Sequence, residues 1–223
     1  MKRKPAVADN EPLPPRLFDN DFSSEFPHGG FTDDAEYREL AVEDCDLSGG
    51  EARNVIVEES WFRRVRFGQA VLAGAQFSDV RFEECDFSGA DLRKATFHRV
   101  AFIGCRCTGT NFSEAHLSSA LFRECSGEMS LFWASTIKRS RFENTLLRRA
   151  SFEGIHPADL TFRGCDLTNA DMTQARLAGT DLRGSHIDGL RAGGAELRGA
   201  IIDPNQAVSI ALMFGLDIRD DDE

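Results

Sequence analysis

The chain has 223 residues, enough for one large domain or one domain with tails. Apolar residues make up 41%, enough for a core, yet no run approaches the roughly 20 apolar residues of a spanning helix. A formal charge of −11 excludes nucleic-acid binding by bulk attraction, which needs clustered Lys and Arg. No membrane contact and no direct nucleic-acid contact are therefore expected, while a partner protein that itself binds DNA is still allowed.

Residues 1–39 read as a Pro-rich flexible arm and cap, holding five of the seven prolines. The start, MKRKPAVADNEPLPP, has basic residues with no apolar stretch behind them, so it is not read as a secretory signal and a cytoplasmic setting is the default. Phe18, Phe22, Phe26 and Phe31 are expected to lie across the beginning of the next unit. The stretch DDAEYREL (33–40) predicts one or two helical turns, with Asp33 and Glu36 as a capping pair.

Residues 40–204 carry a repeat of five. Stepping by five from Val42 to Ile202 gives 33 centres without a frame shift, and 28 are Leu, Phe, Ile, Val or Met. Two residues before each centre the chain is small at 29 of 33 positions, and two after it 12 of 33 are Gly. A small and a large residue two apart point the same way in extended chain, and Gly suits a following corner. Four such sides close a square coil of about twenty residues, each coil stacking on the last at roughly 4.8 Å. Thirty-three repeats then make about eight coils in a rod near 40 Å long. Phe62, Phe82, Phe102, Phe122, Phe142 and Phe162 recur every twenty residues and predict one aromatic core stack.

The units CDFSG-ADLRK (85–94) and CDLTN-ADMTQ (165–174) resemble the pentapeptide-repeat consensus. That resemblance implies an all-β fold, a right-handed quadrilateral parallel β-helix, with a short C-terminal α-helix.

Two centres break the pattern. Pro157 cannot donate to a coil ladder, so a local bulge or bend is expected there. Around Gly127 the outward residues Leu121, Met129, Leu131 and Trp133 are apolar, which marks either a contact surface or residues packed on one another. Residues 205–223 read as a helix, NQAVSIALMFG, with Asn205 as N-cap and Gly215 as stop, followed by an acidic tail. Its broad apolar surface reads as a cap with a homodimer contact, placed at Ile201, Ile202, Val208, Ala211, Leu212 and Phe214. The run Ile202-Asp203-Pro204-Asn205-Gln206-Ala207-Val208, with Ala211 and Gly215-Leu216, resembles the end of the MfpA-type proteins, relatives of the Qnr quinolone-resistance proteins. The resemblance implies a dimeric, non-enzymatic mimic of duplex DNA that binds DNA gyrase.

No chemistry competes with that reading. All six cysteines occupy inward positions where Val65, Thr145 and Ser185 also occur, so they read as small buried residues and no metal or cofactor is expected. Outward carboxylates form the candidate partner-binding face: Asp46, Glu51, Asp79, Glu83, Glu84, Asp86, Asp91, Asp166, Asp171 and Asp181. The opposing reading is a self-paired surface, since signs alternate along Glu43, Arg63, Glu83, Arg123, Glu143 and Arg163. A scaffold module with another protein partner is the alternative function.

Overall fold

A square coil needs one corner residue per side, and the backbone shows which it is. Every fifth residue from Asp34 to Gly199, Gly194 excepted, has positive φ. These corners fall two residues after each centre. Many are not glycine, among them Arg99 (52°), Met129 (57°) and Ala134 (51°). An L-residue adopts this conformation at a cost of roughly 1–2 kcal/mol, so the stacked coils must hold it in place. The frame ends where Pro204 falls on a corner position, because its ring locks φ near −65°.

A computed structural model describes residues 12–16, 26 and 29–219; Phe18, Phe22 and the acidic run 220–223 lie outside the described residues. The strands are β1 (Glu36–Arg38), β2 (Ala41–Glu43), β3 (Ile56–Arg63), β4 (Gln76–Glu83), β5 (Thr96–Ile103), β6 (His116–Ser118), β7 (Leu121–Arg123), β8 (Thr136–Glu143) and β9 (Ala158–Arg163), followed by helix α1 (Pro204–Met213). All strand pairings are parallel, and each joins residues twenty apart, as in Phe62↔Phe82↔Phe102↔Phe122↔Phe142↔Phe162. We number the walls from this one, the first, which carries Phe102. The second carries Phe67 and Phe87, the third Phe112 and Phe132, the fourth Phe77 and Phe97. The longer strands run round the corner from the fourth wall to the first. The second and third walls are joined by single bridges such as Arg66↔Asp86 and Asp91↔Asn111.

Strands span about six turns, fewer than the roughly eight coils counted from the repeats. Beyond β9 the first wall continues only through the bridges Thr161↔Asp181 and Asp181↔Ile201. Glycine is dense there, at 179, 184, 189, 193, 194 and 199, and glycine weakens extended runs.

The core is a set of ring columns. Centroid separations along the first wall run from 4.5 Å (Phe102–Phe122) to 5.2 Å (Phe62–Phe82). Phe112, Phe132 and Phe152 stack at 4.8 Å on the third wall, edge-on to the first column. Stacked and T-shaped pairs of this kind are the geometries aromatic quadrupoles favour.

Residues 33–40, expected as helical turns, instead hold β1. Tyr37 occupies a centre one step before Val42, with corners at Asp34 and Glu39, and pairs with Val57. Its ring packs on Phe31 at 5.0 Å, and Phe31 in turn meets Phe62 and Phe67. Pro157 interrupts the ladder: β8 and β9 pair from Lys138↔Ala158 onward, leaving Thr136 and Ile137 without strand partners there. Gly127 leaves the register intact, since Ser126 still bridges Leu146.

Helix α1 starts one residue after Asp203, which is the N-cap in place of Asn205. The Asp203 carboxylate accepts from Gln206 N–H (3.1 Å), and the Gln206 amide oxygen accepts from Asp203 N–H (3.0 Å). This is a reciprocal capping box. Gly215 (φ 74°) ends the helix, donating to Leu212 O while Leu216 donates to Ala211 O. Among the described residues no helix is long and apolar enough to cross a membrane.

Candidate protein-binding surface

The residue before a centre points outward, and where it is Asp its carboxylate first serves the backbone. Asp46, Asp86, Asp91, Asp166, Asp171 and Asp181 each accept the N–H two residues on, at 2.9–3.1 Å. Ser88 and Thr173 add their hydroxyls to Asp86 and Asp171. These are Asx turns, which carry the chain toward the next corner. Asn111 does the same for Ser113 N–H.

The remaining oxygen of most of these acids meets an arginine. Asp46 pairs with Arg66 (2.7 Å), Asp86 with Arg106 (3.5 Å) and Asp171 with Arg191 (2.9 Å), each one coil away. Asp91 pairs with Arg93, Asp181 with Arg183, Glu83 with Arg81, Asp166 with Arg148 and, at 3.8 Å, Glu51 with Arg53. Hydrogen bonds from Arg93 outweigh burial and hold the Asp91 carboxyl below the ordinary range. Burial raises Asp166 and Asp181, but hydrogen bonds from Thr168 and Arg183 respectively leave both below it. Of the ten candidate acids only Glu84 makes no ion pair among the described residues.

The acids do not form one face. Asp46, Asp86 and Asp166 stand on the second wall, Glu51, Asp91 and Asp171 on the third, Glu83 and Asp181 on the first. Glu84 lies on the corner beside Asp86, in a shallow hollow of about 430 Å³ shared with Glu124. Asp79 is apart from all of them and 7% exposed. Arg99 chelates it, and Arg16 N–H donates to it at 2.8 Å. The arm thus reaches the fourth-wall corner, and Asp79 is covered where a partner-facing carboxylate was expected.

Inside, the small positions do more than fit. Cys85, Cys105, Cys125 and Cys165 donate to the carbonyls of Phe62, Phe82, Phe102 and Phe142 at 3.3–3.5 Å, and Thr145 donates to Phe122 O at 3.2 Å. Each donor reaches back 23 residues, a link that a size rule alone did not reveal. All six cysteines are free, and no metal-holding group of His, Cys, Asp and Glu occurs among the described residues.

Three pentapeptide-repeat family models match, over residues 43–102 (nine copies), 75–152 (a repeat region) and 165–202 (eight copies). The chain belongs to the pentapeptide-repeat family. Among solved structures, this pentapeptide-repeat protein is similar to QnrB1, a plasmid-mediated fluoroquinolone resistance protein, at 15% identity with TM-score 0.45, covering 83% of this chain and 100% of that one. It is also similar to HetL of the cyanobacterium Nostoc, a pentapeptide-repeat protein involved in heterocyst differentiation regulation, at 18% identity with TM-score 0.33, covering 76% of this chain and 90% of that one. No curated protein matches the sequence.

The pentapeptide-repeat rod exposes apolar side chains in two places. At the C-terminal end Ile201, Val208, Leu212 and Phe214 are 41–57% exposed, and Leu216 and Ile218, which were not among the expected contact residues, extend the surface. Ala211 is half-buried, and Ile202 packs on the core. At mid-rod Met129, Leu131 and Trp133 stand 40–47% exposed beside Leu146, while Leu121 is half-buried.

Proposed function

We propose that this pentapeptide-repeat protein is a non-enzymatic, cytoplasmic DNA mimic that binds DNA gyrase and modulates or protects it against quinolones or other topoisomerase poisons. It acts as a homodimer joined through the apolar C-terminal end. The observation carrying this reading is the register of carboxylates on two adjacent walls, with Asp86 and Asp91 repeated at Asp166 and Asp171 four coils on. Carboxylates held at fixed spacing on a rod of duplex width, about 20 Å, attract the basic groove a topoisomerase keeps for DNA. Similarity of the Ile202–Val208 tail to the MfpA type supports the same reading.

A supercoiling assay with purified gyrase, with and without a quinolone, tests it. Asp86, Asp91, Asp166 and Asp171 should be replaced together by Asn, because Asn retains the oxygen that accepts the turn N–H while removing the charge. Loss of the effect in the folded variant is expected. One observation favours a second reading, a scaffold module with another protein partner: nine of the ten acids already have an arginine against them. No effect on gyrase at micromolar dimer, across several salt concentrations, would select it.

A further inference from the structure

The first coil is more acidic than the rest of the rod. Residues 33–52 contain eight Asp or Glu and one Arg. Among the described residues this coil leaves the end of the solenoid only partly covered. Leu47 begins the second-wall column and is only half-buried, whereas Phe67 and Phe87 above it are each 1% exposed. Phe31 packs on both Phe62 and Phe67 and Gly30 lies beside Leu47, while Ser48, Gly49, Gly50 and Glu51 stand exposed. Between these two regions lies a cavity of about 800 Å³ walled by Phe31, Leu47 and Phe67, with Glu43, Asp46 and Glu51 at its rim. That volume lies within the range of ordinary ligand sites.

The cavity also meets an open strand edge. In the next coil Arg66 N–H and Val71 N–H donate back to Cys45 O and Gly50 O at 2.9 and 2.8 Å. The corresponding N–H groups of Asp46 and Glu51 find no acceptor among the described residues. An edge without partners among the described residues, beside an apolar recess, is the arrangement that accepts an added strand: main-chain bonds supply affinity and the recess selects the side chain. The excess of carboxylates selects the charge and also opposes a second copy of this end, which would bring like charges together.

We infer that the N-terminal end of the rod is a docking site for an extended peptide segment of a partner protein, one with a large apolar residue flanked by Lys or Arg. The apolar residue enters the cavity over Leu47 and Phe67, the flanking cations meet Asp46 and Glu51, and the segment's backbone pairs with the free edge. This site is distant from the C-terminal contact and uses none of Asp86, Asp91, Asp166 and Asp171, on which the gyrase test rests.

The experiment is fluorescence anisotropy with the full chain and labelled seven-residue peptides, one with Phe between Lys and Arg residues and a control with Phe between Glu residues. At least tenfold tighter binding of the basic peptide is expected. Leu47→Trp, which fills the cavity, and Glu51→Lys, which reverses the rim, should each weaken it at least tenfold. Thermal melting of both variants verifies that they fold, and Gly109→Ala, remote from this end, serves as a second folded control with binding unchanged. Equal binding of the two peptides, no binding at millimolar chain, or binding that survives both folded substitutions would overturn the proposal. So would ultracentrifugation showing that the parent chain self-associates through this end and that Glu51→Lys abolishes it.

Discussion

Phe102 and Phe122 lie ring over ring, with centroids 4.5 Å apart and planes 4° from parallel, although twenty residues separate them. Each stacks on the ring of the coil before it and on the ring of the coil after it. Phe102 is fully buried. Phe102→Ala should destabilise the chain by about 3–5 kcal/mol, measured by denaturant unfolding. A cost below about 1 kcal/mol would mean the column is not continuous.

The corners can be tested apart from packing. A Cβ on Gly109 (φ 65°) would meet nothing within 4 Å. Gly109→Ala should therefore report the backbone alone, with a loss of about 1 kcal/mol. Ala134→Gly, at a corner with φ 51°, should raise stability by up to about 1 kcal/mol. Paired thermal melts decide both signs.

Gln206 is the buried residue of α1, and its amide donates to Leu182 O and Ser185 O at 2.6 and 2.7 Å. Gln206→Ala leaves two carbonyls and the capping box unserved, at a cost of about 2 kcal/mol. Hydrogen exchange should show α1 losing protection while β3–β5 keep theirs.

Acid should weaken the coil walls. Asp91, Asp166 and Asp181 titrate below the ordinary carboxylate range when folded. The folded state thus binds their protons more weakly than the unfolded state, whose value is near 4. The stability they contribute is complete above that value and is lost as pH falls through the folded one. The melting temperature should hold from pH 8 to about 5 and drop below about 4. Asp91→Asn should be less stable than the parent at neutral pH, and the gap should narrow as pH falls below about 4.

Burial pushes the Cys105 and Cys107 thiols well above their ordinary value and Cys165 to about 11. Cys45, at the open end, is the half-buried exception. Alkylation of the native chain at pH 8 should label Cys45 first, and all six in denaturant, as read by mass spectrometry.

Much of the fold is legible in the sequence because its rule is local and redundant. Phe62, Phe82 and Phe102 sit one coil apart in the chain as they do in space. Tyr37 escaped notice because Ala35-Glu36-Tyr37 is a single repeat beside an irregular arm, with no neighbours to establish its phase. The candidate surface was less legible. Asp86 and Asp91 read as free charge, yet their first partners are turn N–H groups, and the arginines that follow come from a coil away or two residues on. Asp79 was misplaced for two reasons: Arg99, which chelates it, stands at the same corner one coil on, and Arg16, whose N–H adds to that cover, is 63 residues distant with no period connecting the two.

The twenty-residue register also constrains how such a chain can change in length. Removing or adding one five-residue unit would rotate everything beyond it by a quarter revolution, so that Asp166 no longer shares a wall with Asp86, nor Asp171 with Asp91. Only insertions or deletions of a whole circuit keep the two ends facing the same directions, so the rod can be lengthened or shortened in steps and hardly otherwise.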